Sequence, residues 1–132
     1  MNTKLIMTSS ALLLALSGLI LTFAPEKITA LLSPDADLAV IFIFQILGAL
    51  YFSFGILNWM VRSGLIGGIY NRPVILANLA HFMIVGLGLI RIMISGSYLP
   101  RFFWIVTIVY VIFAIVFGLM LFTSPRRVKQ QE

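Results

Sequence analysis

Four runs of this chain carry no charged residue: Leu5–Pro25, Leu38–Val61, Pro73–Ile90 and Phe102–Pro125, of 21, 24, 18 and 24 residues. A bilayer core takes about 20 apolar residues per helix. In lipid the backbone must satisfy its own hydrogen bonds, which restricts such runs to helices. Hydrophobic residues make up 61% of the 132-residue chain and charged residues 10%, against roughly 25% charge in soluble domains. An all-α membrane protein is expected: one domain over residues 1–132, with four transmembrane helices near 4–24, 34–62, 73–96 and 99–123. The first run reads as a retained helix. It is longer than a signal-peptide core, and Thr22-Phe23-Ala24-Pro25 is not a small-x-small cleavage site.

The net charge of +5 does not point to nucleic acid, because the cations sit beside the ends of the runs and form no patch. Lys4, Arg62, Arg72, Arg126, Arg127 and Lys129 fall on one side of the membrane, and Lys27 and Arg101 on the other. Six against two places both termini in the cytoplasm. Arg126, Arg127 and Lys129 either fix this topology or lie against anionic lipid headgroups, where each cation contributes about 1 kcal/mol.

The connections carry signals of their own. After Pro25, the residues Ile28, Leu31 and Leu32 recur at helical spacing, which predicts a short amphipathic helix on the outer surface. Ser33-Pro34-Asp35 reads as an N-cap, a first-turn proline and an acidic first turn opening the second long helix. Gly64, Gly67 and Gly68 lie in a cytoplasmic link without a phosphate-binding lysine, and Leu65, Ile66, Ile69 and Tyr70 there are expected to dip into the interface. Trp59 and Tyr70 are expected at the inner interface, Tyr98 and Trp104 at the outer.

Small and polar residues recur at steps of three and four in each run. They are Ala11, Ala15, Gly18 and Thr22; Gln45, Gly48, Tyr51, Gly55, Asn58 and Arg62; Ala77, His81, Ile84, Gly88, Arg91 and Ser95, with Asn78 beside them; and Thr107, Tyr110, Ala114 and Gly118. Helices in lipid associate through such residues, which predicts an antiparallel four-helix bundle with these stripes inward and most Phe and Leu toward lipid. At 1.5 Å per residue, Asn58 lies roughly 6 Å above Arg62, and Asn78 and His81 roughly 9 and 13 Å above Arg72. Two polar layers result: Asn58, Asn78, His81 and Ser53 in the cytoplasmic half, and Gln45 with Arg91 near the outer face. The inner layer either fixes helix register by hydrogen bonds or forms a ligand or proton site around the single titratable imidazole. Arg91 either snorkels to the outer headgroups or holds an anion with Gln45.

Much chemistry is excluded. There is no cysteine, and no carboxylate lies within a run. A carboxylate-coupled antiporter, a hydrolase triad and a carboxylate-rich metal site therefore lack their parts, and no metal or cofactor is expected. One histidine cannot supply both axial ligands of a b-type haem, although a homodimer pairing two His81 residues could.

The glycine-bearing first run before a proline turn (Gly18 to Pro25), followed by Gln45-Ile46-Leu47-Gly48-Ala49-Leu50, resembles the DoxX-like group of small bacterial four-helix membrane proteins. The resemblance spans most of the chain. It implies a bacterial inner-membrane location and an accessory role, sometimes beside quinone-linked redox enzymes. It carries over no functional residue, and the Gly67–Pro73 turn and the Asn78/His81 pair are not part of it. The functional expectation is an accessory or interaction subunit of a membrane assembly, more an interaction protein than an enzyme. Membrane lipids and a second copy or another subunit are its expected partners. The alternatives are a lipid- or small-molecule-binding or transport bundle using His81, Asn78 and Asn58, and a quinone- or haem-associated redox subunit.

Overall fold

The computed structural model describes residues 2–32, 35–63, 71–96 and 100–122, and these are helical between short turns. The elements are α1 (Thr3–Phe23), α2 (Pro25–Leu32), α3 (Leu38–Val61), α4 (Asn71–Ile94) and α5 (Phe103–Phe122). The four long helices have 21, 24, 24 and 20 residues and a mean hydropathy of 2.0, 2.2, 2.0 and 2.9 over their most apolar windows. Each is long and apolar enough to cross a membrane. Large apolar side chains cover them, with Phe42 61% exposed and Ile105 66%. Apolar surface this continuous is untenable in water and natural in lipid.

The helix ends follow local chemistry. Asn2 caps α1 by accepting the Leu5 N–H on Oδ1 at 3.3 Å. The helix stops at Ala24, whose φ of −135° lies outside the helical region, as a residue before proline prefers. Pro25 then opens α2 without forfeiting a hydrogen bond, and Glu26 complements the positive end of the helix. α2 buries Pro25 and Thr29, while Leu31 and Leu32 of the expected apolar trio are exposed.

The cap of α3 is Asp37, whose Oδ1 accepts the Val40 N–H at 2.9 Å. The helix thus begins at Leu38 and not at Pro34, because an aspartate directly before the apolar run satisfies the first amides equally well. Ser33 and Pro34 lie outside the described residues, as do the Gly64–Tyr70 link, Tyr98 and the Arg126, Arg127 and Lys129 cluster. At its other end Arg62 donates to the Trp59 carbonyl at 2.7 Å, and its guanidinium sits 3.6 Å from the Trp59 ring centroid. α4 starts at Asn71, which puts Pro73 in the first turn, where its missing N–H costs nothing. Gly96, with φ of +74°, turns the chain out of α4. α5 starts at Phe103, four residues after the expected position.

By its contacts the chain divides into two compact units, one containing α1, α2 and α3 and the other α4 and α5. In the first, Gly18 meets Gly48 and Phe52, and Gly55 meets Ala11 and Ala15, so α1 and α3 run antiparallel with their backbones touching. In the second, Gly86 lies against Tyr110 and Gly118 against Leu79, so α4 and α5 are also antiparallel.

The α1–α3 seam runs along the expected stripes: Ala11, Gly18, Gly48, Gly55 and Asn58 are buried. The inward face of α4 is different. Ile75, Asn78, Phe82 and Gly86 are buried, whereas Ile84 is exposed and a side chain at Gly88 would meet nothing. On α5 the buried set is Thr107, Tyr110, Phe117 and Met120, so Phe117 takes the place expected for Ala114 and Gly118. The physical reason is ring stacking. Phe82 lies 4.9 Å from Phe113 and 5.7 Å from Phe117, nearly parallel to both, and meets Tyr110 edge-on at 5.2 Å. Large interlocking rings hold this pair where small residues hold the other.

Candidate functional site

Polar groups inside the long helices are few, and most are spent on structure. Ser10 and Asn58 have no exposed surface. The Asn58 Nδ2 donates to Ser10 Oγ at 3.1 Å, and Ser10 Oγ donates on to the Met7 carbonyl at 3.0 Å. This relay joins α3 to α1 deep in the seam. Asn78 is equally buried and donates from Nδ2 to the Val74 carbonyl at 2.8 Å. Hydroxyls do the same: Thr8 to Lys4, Ser9 to Ile6, Ser53 to Ala49, Ser95 to Ile92 and Thr107 to Phe103, each to a carbonyl one turn back. Back-bonding lets a hydroxyl sit in an apolar medium without a partner helix.

His81 is half-buried on α4, one turn after Asn78. Its ring lies 5.2 Å from Phe82, edge-on, and 5.8 Å from Tyr110 of α5. The imidazole thus borders the packed aromatic core of the second unit, beside Phe82 and Tyr110 and with Asn78 a turn away.

Of the expected inner layer, Asn58 and Ser53 belong to the first unit and Asn78 and His81 to the second. Within the first unit Ser53 does not join Asn58. It is exposed, because five residues turn it about 140° around the helix. Of the outer layer, Gln45 is half-buried on α3, and Arg91 is exposed in the last turn of α4, where a cation complements the negative helix end. Among the described residues, no three His, Cys, Asp or Glu side chains come together in a way that could hold a metal.

The partner of Asn58 is a residue that stripe-reading passes over. Ser10 stands beside the Ala11–Ala15 stripe and not on it. Depth finds it: Ser10 lies roughly 9 Å beyond Lys4 and Asn58 roughly 6 Å beyond Arg62, on helices that run antiparallel. The relay is weak by nature, since interhelical hydrogen bonds in membranes average about 0.6 kcal/mol. Asn58→Leu and Ser10→Ala are each expected to lower stability by about that amount and to be non-additive when combined. Thermal unfolding in detergent of the two single variants and the double variant measures the coupling directly.

Comparison with family models, with curated proteins and with solved structures finds no match for this chain. The DoxX-like resemblance receives no support from them.

Proposed function

We propose that this chain is an accessory subunit of a membrane assembly, held in a bacterial inner membrane by its four long helices with both termini cytoplasmic. The observation that carries this reading is the use of the buried polar groups. Ser10, Asn58, Asn78 and Thr107 all bond to their own or a neighbouring helix, and among the described residues no set of nucleophile, base and oxyanion donors accompanies them. Polar groups spent in this way support a scaffold more than a catalyst. The broad apolar surface of the helices suits lipid and partner helices alike.

Gentle detergent extraction from the native host, followed by identification of what co-purifies, tests the proposal. A stoichiometric membrane partner, or a defined oligomer of this chain, is expected. Recovery as a lone monomer would count against it.

Orientation has its own test, made clean by the absence of cysteine. Asp35→Cys is expected to react with a membrane-impermeant maleimide in intact cells, and Ser63→Cys only after permeabilisation. The reverse pattern would invert the topology.

A second reading places a small-molecule site at His81 and Asn78. It is favoured by the position of the imidazole against Tyr110. His81→Leu distinguishes the two: unchanged cellular phenotype with equal or higher stability leaves only the scaffold.

A further inference from the structure

The α1–α3 pair leaves an open, apolar groove of about 290 Å³ lined by Ala11, Leu12, Ala15, Gly55, Ile56 and Trp59. Ala11 and Gly55 are buried and form its floor, and the half-exposed Leu12, Ile56 and Trp59 stand as its walls. Small residues on both helices make the depression, and the larger side chains beside them give it depth.

One end of this groove is positively charged. Trp59 carries the Arg62 guanidinium over its ring, and Arg62 spends one N–H on the Trp59 carbonyl out of the five a guanidinium offers. On α1, Lys4 is exposed and stands on the face of Thr8, Ala11 and Ala15, at steps of four, three and four. The Ser10–Asn58 bond fixes the alignment of the two helices. Lys4 and Arg62 then lie at the same end, roughly 9 and 6 Å beyond that bond. The amino end of α1 is there too and adds its partial positive charge. The acidic residues of this unit, Glu26, Asp35 and Asp37, all lie at the opposite end, beside the α1-to-α3 connection.

We propose that this groove seats one acyl chain of an anionic phospholipid, with the lipid phosphate held by Arg62 and Lys4. A chain lying over Ala11, Ala15 and Gly55 leaves the bilayer interior beside Trp59, a side chain suited to the headgroup level. Its phosphate arrives at the end where both cations lie and where, among the described residues of this unit, there is no carboxylate. Guanidinium and ammonium both bind phosphate oxygens by charge-assisted hydrogen bonds. A second copy of the chain fits less well, because a parallel neighbour would bring the same two cations to the same depth.

The test uses Trp59 as its own reporter. The chain has two tryptophans, so Trp104→Phe leaves Trp59 alone. This protein is reconstituted into phosphatidylcholine vesicles containing a minor fraction of either brominated phosphatidylglycerol or brominated phosphatidylcholine, and fluorescence quenching is compared. Stronger quenching by the anionic lipid is expected. Lys4→Gln and Arg62→Gln are expected to reduce that preference by about fivefold each. Because the preference is a ratio within one variant, loss of the Arg62–Trp59 contact does not distort it. Ile56→Phe fills the groove and keeps both cations, and it should also reduce the preference. Equal quenching by both lipids overturns the proposal. So does a preference that survives Ile56→Phe, which would mean that the cations attract surrounding lipid with no seat. Absence of quenching by either lipid, relieved when the protein is diluted in the bilayer, overturns it in favour of a second copy. Protein that fails to float with the vesicles overturns it together with the membrane reading itself.

Discussion

Gly18→Leu is expected to separate α1 from α3. A Cβ at Gly18 would stand 2.5 Å from the Phe52 nitrogen and 2.7 Å from the Gly48 carbonyl oxygen. Both atoms are backbone, so no flexible side chain can swing aside, and the whole helix must move. Such movement also stretches the Asn58–Ser10 bond and opens the contact between Gly55 and Ala15. Overpacking of a tight core costs typically 1–3 kcal/mol, and a wedge against backbone on both sides belongs at or beyond about 3 kcal/mol. The matched control is Gly88→Leu on α4, where a side chain would meet nothing. That change is expected to be neutral or stabilising by a few tenths to about 1 kcal/mol, since glycine is a poor helix former. Thermal unfolding in one detergent compares the two. If Gly18→Leu melts within a degree or two of the parent, the backbone contact is not what holds this pair.

Phe82→Ala is expected to have the second-largest effect, in the other unit. Phe82 is 0% exposed and stacks on Phe113 and Phe117. Truncating a buried Phe costs about 3–5 kcal/mol in water-soluble cores. In lipid the transfer part of that cost shrinks, because the surroundings are as apolar as the core. What remains is the dispersion energy of the lost ring contacts, which puts the expected loss below the soluble range, at about 2–3 kcal/mol. Phe122→Ala, at an 86%-exposed position on α5, should cost little. Comparable losses at the two sites would show that ring burial in the α4–α5 pair contributes nothing special.

These two variants also mark what could be read from residues alone. The α1–α3 seam was legible because close backbone approach admits only small side chains, and Gly18, Gly48 and Gly55 advertise it. The α4–α5 face was not. An apolar ring is equally at home against lipid or against another ring, so hydrophobicity does not say which way Phe82 or Phe117 points. Soluble helices announce their inner face by contrast with a polar outer one; these helices have no such contrast. The same ambiguity hid Ser10, a back-bonded hydroxyl whose type could equally face outward. Asn58 was legible as a residue needing a partner, because a buried amide left unpaired in lipid is costly. Its partner is shown by the structure, where Asn58 donates to Ser10, although the matching depths of the two residues were there to be counted.

The narrowness of the α1–α3 seam has a consequence for how the chain stores its instructions. Of the 24 residues in α3, only Gly48, Gly55 and Asn58 are buried. Many of the others are large apolar residues that stand exposed, away from the seam. An α3 whose outward Leu, Ile, Val and Phe were shuffled among themselves would still dock on α1, provided those three positions and their spacing were kept. The specification of this docking is concentrated in a few widely spaced positions, and the outward face of the helix needs only to be oily.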